Sequence, residues 1–239
     1  MSKTLGAERC DVVIPVYNEA DRLEAQLRSW QRTLDQLQIP GAIRVYDDGS
    51  QDATPTLLMV LGRELPRLVP VRQANRGHGP TVLRGYLEAE AEWVCQADGD
   101  GEVEPVAFGA LWERRKAAPL VLACRKGRAA SSSRRLVSGV SRWLLAGLGK
   151  GVPPRDPNSP FRLWARVVLQ ELLQGLPSSL LVPNLVLTAR VMVRGVPWIE
   201  VPVRVSNPSS GTGGLTGWKL WRFSMRATAE LLRHVPESS

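Results

Sequence analysis

The residues best placed to do chemistry are carboxylates set in pairs. Asp98-Gly99-Asp100 puts two carboxylates one residue apart, with a glycine between them that would let the backbone turn sharply. Hard divalent cations take oxygen ligands, and Mg²⁺ typically uses one or two carboxylates together with substrate phosphates. Such a pair would clamp a diphosphate and stabilise charge on a departing nucleoside diphosphate. Glu102 would add a third carboxylate. The plainer alternative is a solvated acidic turn, since Asp and Gly are common turn formers. Asp47-Asp48-Gly49-Ser50 would bind a ribose or base, or cap the next helix. In Asn75-Arg76-Gly77-His78-Gly79 the backbone N–H groups would face an anion near a helix start. Nothing in the spacing pairs His78, which reads as a solvent-exposed loop residue.

These groups need elements to hold them. Residues 11–16 form a continuous apolar run, the pattern of a strand buried on both faces. Leu23, Leu27, Trp30, Leu34 and Leu37 then recur at helical spacing. The alternation continues with strands at 42–46, 68–72, 93–97 and 120–124, the last ending at Arg125. Helices are expected at 53–64, 80–91 and from Pro105 to 116. Strands alternating with helices predict a mostly parallel α/β sheet, whose ligands gather outside the strand C-termini. Both acidic pairs fall at such ends.

Further along, 127–133 is small, polar and Ser-rich, so it reads as a mobile loop, and 134–148 as a basic helix. The stretch 149–160 carries four prolines and reads as an irregular connection. Helices are predicted over 163–174 and 182–194, a strand over 198–205, a loop over 209–214 and a final basic helix over 217–233. No internal repeat or long linker divides the chain, so a single domain is expected.

The chain has 239 residues, 44% hydrophobic and 23% charged, which excludes disorder throughout. A formal charge of +8 favours anionic partners. The basic residues form no recognisable nucleic-acid-binding motif, and the eight tryptophans read as core or interface fillers. Cys10, Cys95 and Cys124 show neither zinc nor disulfide spacing, so reduced thiols are expected. No signal-peptide pattern opens the chain, and no run approaches the ~20 apolar residues that span a bilayer. A cytoplasmic protein is expected, with peripheral attachment to the inner face of the cell membrane open. Lys219, Arg222, Arg226 and Arg233, with Leu215, Trp218, Trp221 and Met225, fit a membrane-surface helix. They fit a helix packed on the domain with a solvated basic face equally well.

The ordered set Ile14-Pro15-Val16-Tyr17-Asn18-Glu19, Asp47-Asp48-Gly49-Ser50-Gln51-Asp52, Asn75-Arg76-Gly77-His78-Gly79 and Ala97-Asp98-Gly99-Asp100 resembles the family-2 glycosyltransferases of GT-A fold. Asp156-Pro157-Asn158-Ser159-Pro160-Phe161-Arg162 and Glu200-Val201-Pro202-Val203 extend the resemblance over residues 11–214. It is narrower toward the dolichol-phosphate-mannose synthase-like polyprenyl-phosphate glycosyltransferases. The resemblance implies a nucleotide-sugar-binding half at 11–104, an acceptor-binding half at 105–214, and a basic C-terminal helix and tail at 215–239. Pro15, Tyr17, Glu19, Asp48 and Asp98 would line the nucleotide pocket. Asp98, Asp100 and Glu102 would hold Mg²⁺ or Mn²⁺. Asp98, Asp100, Arg125 and Arg134 would carry catalysis, and Arg125, Arg134 and Ser138 would face the acceptor phosphate. Arg162 stands in the family's Phe-Arg motif. The chain departs from the pattern at Pro160, where relatives usually have Gly, near Asn184, and at Gly211-Thr212-Gly213.

The implied reaction is a single inverting displacement, moving a sugar from a GDP- or UDP-linked donor to a polyprenyl phosphate. The acceptor phosphate is already ionised, so arginines would orient it without a strong base. A hydroxyl acceptor on a glycan, peptide or small metabolite would need a base, for which Asp156 is a candidate, although it also reads as a turn-stabilising carboxylate before Pro157. A non-catalytic nucleotide-binding module is the third reading.

Overall fold

The computed structural model describes residues 7–126, 142, 145–147, 151–205 and 217–235. Seven strands form one sheet: β1 (Cys10–Val16), β2 (Ile43–Asp47), β3 (Leu68–Arg72), β4 (Trp93–Gln96), β5 (Leu120–Lys126), β6 (Arg162–Ala165) and β7 (Trp198–Arg204). Their order is β3-β2-β1-β4-β6-β5-β7. All run parallel except β6, which is antiparallel to both β4 and β5. The helices are α1 (Ala20–Gln36), α2 (Thr54–Glu64), α3 (His78–Glu88), α4 (Phe108–Arg114), α5 (Arg166–Leu173), α6 (Pro183–Val193) and α7 (Gly217–His234).

The apolar run of β1 is explained by burial on both faces. Val12 and Ile14 join Leu27, Trp30 and Phe108 in one core layer, while Val13 joins Tyr46, Val82 and Tyr86 in the other. Every residue of β1 is buried, including Asp11. Asp11 sits at the N-terminal end of the sheet. It accepts hydrogen bonds from the Ala42 and Glu90 amides, at 3.0 and 2.9 Å, and from Arg44 Nε at 3.0 Å. Burial pushes its carboxyl up, but those amides and the Arg44 guanidinium prevail and hold it below the ordinary value.

The sequence expectation fails at 163–174. The first four residues from Arg162 are a strand in the middle of the sheet, and the helix begins only at Arg166. The apolar spacing of 163–173 fits a helix, and only pairing with β4 and β5, both distant in sequence, decides otherwise. Helix α3 also starts earlier than expected, at His78, and β5 runs one residue past Arg125. Residues 151–161 have no regular element, as the prolines predict. Of the expected helix 134–148, only 142 and 145–147 are described, and these are helical. The loop at 209–214 lies outside the described residues. Cys10 and Cys95 are buried and Cys124 is partly exposed, none in a disulfide.

Candidate active site

The order β3-β2-β1-β4 reverses direction at β1 and β4, where ligands of open α/β sheets gather beyond the strand C-termini. A cleft of about 330 Å³ opens there, lined by the ends of β1, β2 and β4 and the start of α3. Parallel pairing continues past the strands: the Asp48 amide donates to Val16 O at 2.9 Å, and Ala97 to Val13 O at 3.0 Å. Tyr17, Asp48 and Asp98 are thereby delivered to one place.

The turns behind the cleft lock into one another. Asn18 takes a left-handed backbone (φ 55°), which asparagine tolerates better than most residues. Its amide donates to Ser50 Oγ at 2.9 Å, and its Oδ1 accepts from Gln51 N at 2.8 Å. Asp52 accepts from the Ala20 amide at the start of α1 and from Thr54 N at the start of α2. Asp47 folds back on its own turn, accepting from Ser50 N at 2.8 Å. Asp48 holds the glycine-rich loop, accepting from Arg76 N at 2.9 Å, Gly77 N at 2.8 Å and Gln73 Nε2 at 2.7 Å. Neither carboxylate caps α2, which corrects one of the two expectations for this pair; Asp48 lines the cleft all the same. Gln73 went unnoticed in the sequence. It bridges Asp48 to Thr81 Oγ1 and accepts from Arg84, and its residue type alone carries no signal of that.

The chain turns at Gly99 and Asp100 as expected, and close packing gives glycine a second reason there. A Cβ there would lie 2.7 Å from Val16 Cγ1 and 3.2 Å from Pro15 O, so glycine is required by close approach to β1. The packing sets Asp98 and Asp100 against the end of that strand. Asp98 Oδ1 is shut away from water with no hydrogen-bond partner. Burial raises the Asp98 carboxyl above its ordinary value; His78 and Arg125 oppose the rise, while Asp100 and Glu102 add to it. Glu19 is raised too, first by burial and then by Asp100. Asp100 Oδ1 accepts from Glu102 N at 2.9 Å.

His78 is the correction most relevant to the site. It is 56% exposed, as a loop residue would be, but it is the first residue of α3 and lines the cleft. Its Nε2 stands 3.9 Å from Asp98 Oδ1. Sequence spacing could not pair residues 78 and 98, because the sheet order brings them together.

Arg125 is spanned by two carboxylates. Its Nη1 donates to Glu102 Oε2 at 2.9 Å and its Nε to Asp156 Oδ2 at 2.7 Å. Burial works against its charge, and the Asp156 hydrogen bond with the fields of Asp156 and Glu102 more than offsets that. The structure thus places Arg125 beside the Asp98-Gly99-Asp100 loop, bridging it to the 156–160 turn. Asp156 also closes that turn through its carbonyl, which accepts from Ser159 N at 3.1 Å. Arg162 is fully buried and donates to the carbonyls of Ser159, Pro157 and Asn184. Its contacts fasten the turn to α6. Arg134 and Ser138 lie outside the described residues.

Asp98 and Asp100 suit a hard divalent cation: both offer oxygen, and a cation would satisfy Asp98 Oδ1, which makes no hydrogen bond. Glu102 instead directs one oxygen to Arg125. Among the described residues no three His, Cys, Asp or Glu side chains are gathered as a ready-made metal cage. Two carboxylates completed by phosphate oxygens and water is a normal arrangement for Mg²⁺.

The sheet order, with the cleft at its switch point and the Asp98-Gly99-Asp100 loop beside it, defines a domain of GT-A type. The family model for glycosyl transferase family 2 matches residues 11–163, and the chain belongs to that family. Among curated relatives, it is 28% identical over 177 residues to an undecaprenyl-phosphate 4-deoxy-4-formamido-L-arabinose transferase of Pseudomonas fluorescens, covering 73% of this chain and 52% of that protein. It is 26% identical over 221 residues to the bactoprenol glucosyl transferase of Shigella phage SfV, covering 91% and 70%. The chain therefore spans about half the length of the first relative. The fold matches glucosyl-3-phosphoglycerate synthase of Mycobacterium tuberculosis in complex with Mn²⁺, UDP and phosphoglyceric acid, with a TM-score of 0.66 at 20% identity over 97% of this chain and 80% of that one. It also matches a Pyrobaculum calidifontis mannosyltransferase in complex with GDP-Man and Mn²⁺, with a TM-score of 0.63 at 18% identity over 96% and 65%.

Proposed function

We propose that this chain transfers a sugar, with inversion, from a UDP- or GDP-linked donor to a polyprenyl phosphate. The observation that carries the donor half is Asp98. Its carboxylate lines a cleft at the sheet's switch point, beside the first turn of α3, with Oδ1 making no hydrogen bond and standing 3.9 Å from His78 Nε2. The nucleotide would lie against Pro15, Tyr17, Glu19 and Asp48. Its diphosphate would face the α3 N-terminus, where the helix dipole favours anions. Asp98 and Asp100 would hold Mg²⁺ or Mn²⁺. That ion, when bound, supplies positive charge against the leaving diphosphate. The solved glycosyltransferase structures of like fold, with Mn²⁺ and nucleotide, support this part.

The names of the curated relatives support the acceptor half. A phosphate oxygen attacks the anomeric carbon as an anion, so no protein base is required. The structure favours this over a hydroxyl acceptor, because the Asp156 carboxylate is engaged by Arg125 at 2.7 Å and is poorly placed to take a proton. Arg125, with Arg134 and Ser138, would orient the acceptor, Arg125 exchanging a carboxylate for the phosphate. A peripheral approach to the membrane suits α7, where Met225 and Leu232 are exposed beside Arg226 and Arg233. No helix among the described residues is long and apolar enough to cross a bilayer.

A thermal-shift screen with UDP, GDP and their sugars, with and without Mn²⁺, tests the donor half, since a ligand of the folded state raises Tm by mass action. One nucleotide should give a Mn²⁺-dependent rise that is lost in Asp98→Asn. The acceptor half needs labelled sugar nucleotide and undecaprenyl phosphate. No lipid-linked product with any common donor would overturn it.

A further inference from the structure

Glu230 is the only acidic residue of α7, and its half-buried carboxylate reaches a turn elsewhere in the chain. Its Oε2 accepts from Leu181 N at 2.9 Å and Val182 N at 3.3 Å, and its Oε1 accepts from Leu181 N at 3.1 Å. Val182 immediately precedes α6, whose first residue is a proline without an N–H. One carboxylate therefore satisfies the amides that lead into α6, and the negative charge suits that end of the helix.

The segment so held is also a wall of the donor cleft's support. A Cβ on Gly79 would lie 2.2 Å from Leu180 O and 2.6 Å from Leu181 O. The backbone of 180–181 therefore rests directly on the first turn of α3, with no space for a side chain between them. That same turn carries Gly77, His78 and Thr81, which line the cleft. The chain of contacts runs from Glu230 to the 181–182 amides, to the 180–181 carbonyls, to Gly79, and so to the anion-facing end of α3.

We infer that Glu230 is a positioning residue for the donor site: by pinning segment 180–182 it sets where the first turn of α3 stands. This rests on the reading of the cleft as the nucleotide site. A residue more than 100 positions from the cleft motifs, on the C-terminal helix, thereby controls donor affinity. The helix that carries Met225, Leu232, Arg226 and Arg233 on its outer side is joined to the cleft by this route, so a shift of α7 would register in donor binding.

The test is calorimetric titration of the nucleotide diphosphate with Mn²⁺ into the whole chain, at a temperature where circular dichroism shows each variant folded. Glu230→Ala should weaken nucleotide binding by about tenfold or more, since sub-ångström misplacement of a binding group is costly. Glu230→Gln, which keeps one acceptor oxygen, should recover part of the loss. Gly79→Ala breaks the contact from the other side. In that background Glu230→Ala should add little, because both act through one interface. A purely structural role predicts something else: a lower Tm for Glu230→Ala with unchanged nucleotide affinity, and that result would overturn the inference. So would independent, multiplying effects of the Gly79 and Glu230 changes. If Glu230→Ala does not fold, the Glu230→Gln affinity alone decides, an unchanged value counting against. Failure of the unaltered chain to bind any nucleotide would sink the donor-site reading itself.

Discussion

Gly99→Ala is the sharpest test of how the site is built. The added Cβ would stand 2.7 Å from Val16 Cγ1 and 3.2 Å from Pro15 O. Carbon atoms pack best near about 3.5–4.0 Å, so the first contact is short by roughly 1 Å. Val16 is buried and cannot swing aside freely, and the Pro15 carbonyl is part of β1. Overpacking of this kind costs about 1–3 kcal/mol. In a chain of this size that is a fall in Tm of roughly 2–4 °C per kcal/mol. Val16→Ala removes the clashing methyl and by itself leaves a small cavity, costing a comparable amount. Because the two side chains compete for one space, the double variant should be less destabilised than the sum by about 0.5–3 kcal/mol. Urea unfolding of the four proteins measures this coupling. The Mn²⁺-dependent nucleotide shift should be weakened in Gly99→Ala, since Asp98 and Asp100 move with residue 99, and partly restored in the double variant. Strictly additive stabilities would refute the claim that this glycine exists to let the acidic loop lie on β1.

Two further outcomes follow from buried charges. Asp11→Asn should cost about 1–3 kcal/mol, because it removes a buried charged acceptor from the Ala42 and Glu90 amides and from Arg44, which keeps Glu90 as a second partner. The folded-state pKa of Asp11 is lowered, so its contribution is present above the unfolded value near about 3.9 and is lost as pH falls through the folded value; the gap between the two proteins in urea unfolding should narrow only at acid pH. Arg162→Met should also cost about 1–3 kcal/mol, by removing the donor to the Ser159 carbonyl and leaving those of Pro157 and Asn184 to Thr188 Oγ1. If its unfolding midpoint matched the unaltered chain, Arg162 would not be the fastening of the 157–159 turn.

The cleft side of the molecule was legible in the sequence because β1 and β4 are buried throughout and β2 nearly so, and each is followed at once by the chemistry it delivers. Asp48 and Asp98 could be placed at strand ends from the apolar runs alone. What could not be read was whatever depends on strand order. His78 meets Asp98 only because β4 lies next to β1. Gln73 meets Asp48 only because β3 lies next to β2. The strand at Arg162–Ala165 was hidden for the same reason: four residues ahead of an amphipathic helix carry no periodicity of their own, and their partners lie 40 and 70 residues away. Arg125 was found by type and position, but its two carboxylate partners arrive from separate loops. Arg134 and Ser138, outside the described residues, leave the acceptor half resting on the resemblance and the relatives.

The sign of the charge in the cleft then constrains how it can work. The chain as a whole is strongly basic, yet Glu19, Asp48, Asp98 and Asp100 all line this one cleft. At about 5 Å and an effective dielectric of about 20, each like-charge pair costs about 3 kcal/mol. A diphosphate brought among them unaided would meet several such pairs, more than the α3 N-terminus returns at about 0.3–2 kcal/mol. Two features could lower that repulsion: protonation, toward which burial already pushes Asp98 and Glu19, and a cation held between carboxylate and phosphate. At neutral pH the cation is the stronger of the two, because it supplies two positive charges where a proton supplies one. Nucleotide and metal should therefore bind as one thermodynamic event, each weakly alone. Equal nucleotide affinity with and without Mn²⁺ would mean that the diphosphate lies elsewhere than beside Asp98 and Asp100.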